Sequence, residues 1–194
     1  SLPLFAPSII KKLITYVRKV GHIKAKKTSM RPDYKNLTVT DTPNEEHKYV
    51  NIKTCVLNKL QPEVVINYSN RECSYNGIPK LILAHKMYGF PFIDVEGLYG
   101  ISNRDNYVIL DRTNEEYMKL KHFLSTKLAF VVYKATRYRM RYLEKYAFEF
   151  LPDITKLSDF PELITNETVA KYFKLNEMER KCLETVIKKE YLTF

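Results

Sequence analysis

The spacing of apolar residues changes period once along this chain, and that change limits the folds open to it. Between residues 46 and 111 the apolar residues come in short blocks. Tyr49-Val50-Asn51-Ile52-Lys53-Thr54-Cys55-Val56-Leu57 alternates in part, and Val64-Val65-Ile66-Asn67-Tyr68 follows Pro62. Lys80-Leu81-Ile82-Leu83-Ala84 is a continuous run of the kind found in a central strand, and Asn106-Tyr107-Val108-Ile109-Leu110 is another. The turn-rich pieces Tyr75-Asn76-Gly77-Ile78-Pro79 and Asp94-Val95-Glu96-Gly97-Leu98-Tyr99-Gly100 separate them, so this stretch reads as strands.

After residue 112 the spacing becomes three and four. Thr113-Asn114-Glu115-Glu116 reads as a capping box, and Tyr117, Leu120, Phe123 and Leu124 then share one helical face. Leu128, Val131, Val132, Ala135, Tyr142, Leu143 and Tyr146 continue the pattern until Pro152 and Pro161 end it. Two short helices are expected at 166–173 and 177–190, the second capped by Asn176 with Glu179 three residues on. At the other end, Pro7-Ser8 reads as the N-cap of a helix carrying Ile9, Ile10, Leu13, Ile14 and Val17 opposite Lys11, Lys12 and Arg18, stopping at Gly21. Strands gathered in one stretch and helices in others give an α+β class: a central mixed β-sheet with an N-terminal helix and a helical C-terminal part. Two regions are expected, residues 1–45 (the helix and a polar, basic loop) and residues 46–194 (an α+β domain).

Charge narrows the partners. The 194 residues hold 32 Lys and Arg against 22 Asp and Glu, a net +10, so polyanions are the expected partners, nucleic acid before acidic membrane. Mean hydropathy is −0.34 and no apolar run reaches the ~18 residues of a spanning helix, so no membrane is implied. The opening Ser1–Pro7 is too short and too broken by proline to read as a signal peptide. Three scattered cysteines, Cys55, Cys73 and Cys182, include no C-x-x-C and read as small buried groups in a reducing, cytoplasmic compartment. Four isolated histidines (His22, His47, His85, His122) suggest no metal site.

The cations cluster. Lys24, Lys26, Lys27 and Arg31 crowd one polar stretch; Lys134, Arg137, Arg139, Arg141 and Lys145 crowd another, among 15 Tyr and 10 Phe that suit base stacking. If 127–146 is one helix, then Lys127, Lys134, Arg137, Arg141 and Lys145 lie on one face, where only an anion relieves their repulsion. Arg139 interrupts the apolar side. Either it snorkels, or the helix ends near Thr136 and Arg137-Tyr138-Arg139-Met140-Arg141 is an exposed reading loop whose arginines suit guanine edges.

Enzyme motifs are sparse. There is no P-loop, G-x-G-x-x-G, G-x-S-x-G or H-E-x-x-H. Gly97-Leu98-Tyr99-Gly100 has too few glycines to cradle phosphate and reads as a turn. Asp94 and Glu96, two apart, could pair as acid and base on one side of a strand. Asp33 after Pro32, with Glu46 and Lys48, resembles the metal-binding pattern of restriction endonucleases, in which a divalent cation positions the attacking water.

Phe123-Leu124-Ser125-Thr126-Lys127-Leu128 is similar to the "LLNSKL" helix junction in the target-recognition (specificity) region of adenine-N6 DNA methyltransferases of restriction–modification type. Phe148-Glu149-Phe150-Leu151-Pro152-Asp153-Ile154 resembles the "lPdi" exit from that region, and residues 164–179 resemble its closing "lydyFgLteeE" pattern. Pro79-Lys80-Leu81-Ile82-Leu83 and Gly97-Leu98-Tyr99-Gly100 are similar to its "kpKiil" strand and glycine turn, so the likeness spans roughly 46–190. The family's Asn/Asp-Pro-Pro-Tyr/Phe motif for the flipped adenine and its glycine-rich cofactor loop are missing here, and Ser125-Thr126 replaces Asn-Ser.

The resemblance therefore implies a target-recognition domain that reads double-stranded DNA and is not catalytic by itself. No cofactor is implied in this segment. S-adenosylmethionine would belong to a methyltransferase catalytic half in cis or in trans. The residues expected on DNA are Lys24, Lys26, Lys27, Arg31, Arg104, Lys134, Arg137, Tyr138, Arg139, Arg141 and Lys145. The rival expectations are a metal-dependent nuclease using Asp33, Glu46 and Lys48, and a protein-interaction module.

Overall fold

The structure, a computed structural model, describes residues 5–29, 35–58, 61–85, 90–137 and 142–186. The α+β class is as expected, with an N-terminal helix, C-terminal helices and strands that form two four-stranded sheets. The chain packs as two units, one of residues 1–24 with 115–194 and one of residues 25–114. The division expected at residue 45 is therefore not the one that packing makes. The polar stretch 25–45 joins the β unit, because its two short strands find partners there.

In the helical unit, α1 (Ala6–Val20) buries Ala6, Ile9 and Leu13. It starts before the expected cap: Phe5 is the N-cap, Pro7 lies in the first turn, where its missing N–H costs nothing, and Ser8 donates instead to Glu179 Oε1 at 2.7 Å. Gly21 ends the helix at φ 81°, a conformation open to glycine, with its N–H on Val17 O at 2.8 Å. Helix α2 (Asn114–Leu124) buries the expected face, Tyr117, Leu120, Phe123 and Leu124. Thr126 then caps α3 (Lys127–Thr136) by accepting from Ala129 N.

Helix α3 stops at Thr136. Arg137 is extended (φ −67°, ψ 136°), so the single helix over 127–146 does not form. Leu143 is nonetheless buried, from non-helical chain, ahead of the short α4 (Tyr146–Glu149). Beyond it, Leu151 O accepts from Ile23 N and Asp153 N donates to Gly21 O, stitching the chain after α1 to the buried Leu151–Ile154 run.

Two short helices close the unit. Thr165 and Thr168 cap α5 (Asn166–Tyr172) reciprocally. Asn176 and Glu179 do the same for α6 (Glu177–Val186), at 2.9 and 2.8 Å, as the sequence indicates. Buried Glu179 also takes Ser8 and the Lys12 ammonium from α1. Burial alone would raise its carboxyl pKa, but Lys12, the Asn176 N–H and Ser8 outweigh that and hold it below the ordinary range.

In the β unit, β1 (Lys26–Lys27), β8 (Asn106–Ile109), β5 (Lys80–Ala84) and β6 (Phe92–Asp94) form one antiparallel sheet in that order. The other runs β2 (Val39–Thr40), β4 (Gln61–Ser69), β3 (Tyr49–Asn58), β7 (Gly100–Ile101), with β3 and β7 parallel. Strand β5 is wholly buried and paired on both sides, as its apolar run suggests. Ile52, Cys55, Ile101, Ile82, Ala84 and Val108, drawn from both sheets, form the core. Cys55, Cys73 and Cys182 are free and buried, and burial pushes the Cys55 thiol up to about 12.

A buried ion pair holds the turns of this unit. Lys80 donates to Asp94 Oδ2 (2.6 Å) and to the carbonyls of Tyr75 and Ile78 (both 3.0 Å), satisfying all three ammonium protons. Asp94 accepts in turn from Leu98 N (2.9 Å) and Tyr99 N (3.0 Å). The two turns also meet at Gly77 N to Gly97 O, 2.8 Å. Gly97 has φ 69°, and a Cβ there would stand 2.5 Å from Ile78 N. The Asp94/Glu96 acid–base pair is accordingly not made: Asp94 is spent on Lys80 and two amides, while Glu96 is exposed.

Candidate nucleic-acid interface

The units divide the charge unequally. The helical unit holds 20 of the 32 Lys and Arg and 12 of the 22 Asp and Glu, so it carries eight of the ten excess positive charges. The β unit carries the remaining two.

The β unit nonetheless gathers cations at one edge. Strand β1 pairs antiparallel to β8, with Lys26 opposite Val108 and Lys27 opposite Tyr107. Both lysines are exposed because β1 is the last strand of its sheet, where lysine also blocks pairing with another chain. Lys27 Nζ stands 5.9 Å from the centre of the buried Tyr107 ring. Thr28 continues the pairing onto Asn106, and exposed Arg104 lies two residues before it. Lys26 and Lys27 on β1 and Arg104 in the bend before β8 thus come from distant sequence toward one edge.

Lys53, on the other sheet, meets the chain around Asn103 through its backbone. The pairing of β3 with β4 shifts between Ile52 and Thr54, so Lys53 is the extra residue of a β-bulge. Freed from the ladder, its carbonyl accepts from Asn103 Nδ2 (2.8 Å) and Asn106 Nδ2 (3.3 Å). Its side chain is exposed, with a 3.8 Å approach to exposed Asp41. A bulge has no local composition signal here, so nothing in the neighbouring residues marks this lysine as projecting beside Asn103.

In the helical unit the expected stripe is broken. Lys127 is drawn off to Glu184 at 2.6 Å. Lys134 is half-buried with Nζ 5.1 Å from the Phe130 ring centre, Arg137 is exposed at the helix end, and Lys145 is exposed at the start of α4. Lys24 is exposed between buried Ile23 and Ala25. Arg31, Tyr138, Arg139 and Arg141 lie outside the described residues.

The nuclease-like pattern gains no support. Asp33 lies outside the described residues, while Glu46 and Lys48 are both exposed. Between them, buried His47 is held by Thr38 Oγ1 at 2.7 Å and Asn44 Oδ1 at 3.1 Å, which anchors the turn before β3. Among the described residues no three His, Cys, Asp or Glu side chains come together as a metal site. Nor, among those residues, is any helix long and apolar enough to cross a membrane.

Compared with family models, with curated proteins and with solved structures, the chain finds no match in any of the three.

Proposed function

We propose that this chain binds double-stranded DNA, and that it serves as the target-recognition part of a site-specific adenine-N6 methyltransferase whose catalytic half, holding S-adenosylmethionine, acts in cis or in trans. The observation that carries the binding is the surplus of eight cations on the helical unit, with Lys24, Arg137 and Lys145 exposed on it. Exposed ammonium and guanidinium groups displace the counterions condensed on a duplex, which favours association and makes it salt-sensitive. On the β unit, Lys26, Lys27, Lys53 and Arg104 add a second set of phosphate contacts. The adenine-methyltransferase role rests on the resemblance of residues 46–190 to the recognition region of that family. A cytoplasmic location agrees with three free cysteines.

Fluorescence anisotropy of a labelled duplex, titrated at several salt concentrations, tests this. Each phosphate contacted should steepen the log–log salt slope by about 0.9. Replacing Arg137, Arg139 and Arg141 together by Ala should remove most of the affinity. Binding absent at low salt, or unaffected by salt and by this triple variant, would reject the proposal. A duplex library selected on the full chain should return an adenine-containing site if the recognition role is correct.

A further inference from the structure

The helical unit contains an open pocket of about 470 Å³ lined by Tyr16, Lys19, Leu157, Asp159, Tyr172 and Lys174. Two tyrosines, two lysines and one aspartate line one small space with a single leucine. The rings are fixed. Tyr16 and Tyr172 lie 5.5 Å apart; Phe173 meets Tyr16 edge-on at 4.9 Å, and Phe160 meets Tyr172 at 4.9 Å. Tyr16 Oη donates to Tyr172 O at 3.3 Å, and Tyr172 Oη donates to Asp159 Oδ1 at 2.7 Å. Burial, then the Asp159 contact, raise the Tyr172 pKa, so its hydroxyl remains the donor.

The remaining polar groups of the pocket face solvent. Asp159 is exposed, and its Oδ2 has no hydrogen-bond partner among the described residues. Lys19 and Lys174 are exposed, and neither ammonium meets a carboxylate among the described residues. Lys19 lies 5.4 Å from the Tyr16 ring centre, and Lys174 is held at a backbone φ of 55°. A ligand that uses all five polar and aromatic side chains offers a ring for the tyrosines, an anion for the lysines and an N–H for the carboxylate.

We propose that this pocket binds one nucleoside monophosphate whose base carries an exocyclic amine. The base stacks against the tyrosine surface, the phosphate lies between Lys19 and Lys174, and the amine donates to Asp159 Oδ2. Thymine fits worse, because its N3–H sits between two carbonyl oxygens that a carboxylate repels. The same ligand chemistry arises from a free nucleotide or from an unpaired residue within a strand. The pocket goes beyond the duplex reading and does not depend on it. The positive surplus of this unit raises the local concentration of either source.

Isothermal titration of the full chain with dCMP, dAMP, dGMP, dTMP and inorganic phosphate tests this. The expected result is one saturable site, with the three amino-bearing nucleotides bound roughly tenfold more tightly than dTMP or phosphate. Asp159→Ala should erase the preference over dTMP, and Lys19→Ala should weaken all nucleotides. Both positions are exposed, and circular dichroism checks that the variants fold. A thymidine nonamer with one central dC, read against the all-thymidine nonamer, identifies the source: a dC preference at least equal to that of dCMP over dTMP assigns the pocket to a strand, and equal binding of the two nonamers assigns it to the free nucleotide. No saturable binding up to millimolar nucleotide overturns the proposal, as does equal affinity for dCMP, dTMP and phosphate, or indifference to both variants. Duplex binding by the same variants is read separately, so either function can fail alone.

Discussion

The two units handle polar side chains in opposite ways. The helical unit turns its surplus charge outward and closes its helix starts with side chains: Thr126, Thr165, Asn176 and Glu179 each accept from amides there, while buried Asp153 accepts from Thr155 Oγ1. The β unit is nearly neutral but takes polar groups into its interior. Lys80 is fully buried against Asp94, and Asn51, Asn67, Ser69 and Asn106 are buried strand residues. Asn51 Oδ1 and Asn106 Oδ1 have no partner there among the described residues. A cap satisfies amides that every helix leaves open, so its loss costs little more than one hydrogen bond. A buried charge pair fixes geometry that nothing else fixes, so its loss strands a charge without solvent.

The comparison therefore predicts that equivalent-looking deletions cost unequal amounts. Asp94→Ala should be the most damaging, about 3–5 kcal/mol, because it leaves the Lys80 ammonium buried and unpaired. Urea denaturation should show that loss, and Asp94→Ala with Lys80→Met should recover part of it. If the single variant loses less than about 1 kcal/mol, the contrast between units fails.

Glu179→Gln in the helical unit should cost about 1.5–3 kcal/mol at neutral pH, since charge-assisted bonds from Lys12, the Asn176 N–H and Ser8 all weaken. Its pH dependence has a definite sign. The folded carboxyl is held below its unfolded value of about 4.3, so its stabilisation is full above that pH and disappears as pH falls through the folded value. The wild type should lose stability in acid more steeply than Glu179→Gln, as followed by helical circular dichroism.

Gly97→Ala should cost about 1–3 kcal/mol, combining the positive φ with the clash against Ile78 N. Thr165→Ala should cost about 1 kcal/mol, the ordinary worth of an N-cap. The smallest change should be Lys127→Ala, about 0.5 kcal/mol or less, because Glu184 is mostly exposed. A cap variant that destabilised as much as Asp94→Ala would erase the distinction.

Legibility in sequence also differs between the units, for a physical reason. Helix faces and caps are local. Tyr117, Leu120, Phe123 and Leu124 lie within eight residues, and the Asn176–Glu179 box within four, so spacing alone reveals them. Of the two readings of 127–146, one helix or an end near Thr136, the structure has the second, and the sequence does not choose between them because no Gly or Pro announces the end and Leu143 keeps the apolar spacing from non-helical chain. The β5 run was readable as a central strand, but the role of its first residue was not. Lys80 meets Asp94 only through the pairing of β5 with β6. Likewise Lys26 and Lys27 gain their neighbours from β8, about eighty residues away, and the projection of Lys53 depends on its register against β4. Of the residues expected on DNA, exposure at Lys24, Lys26, Lys27, Arg104, Arg137 and Lys145 follows simply from their charge. That Lys26 and Lys27 come near Arg104 follows from the pairing of β1 with β8, which no local window contains.

The irregularity at Lys53 has a consequence for how this chain tolerates a change in length. Ile52 faces Ile66 and Cys55 faces Val64, so both side chains reach the interior although three peptide steps separate them. Dropping one residue at that point leaves two steps, the spacing at which an unbroken strand returns to the same side. Ile52 and Cys55 would stay indoors, and the loss would fall on a surface cation and the clasp from Asn103 and Asn106. The same omission elsewhere in the strand would turn the residues on one side of it inside out.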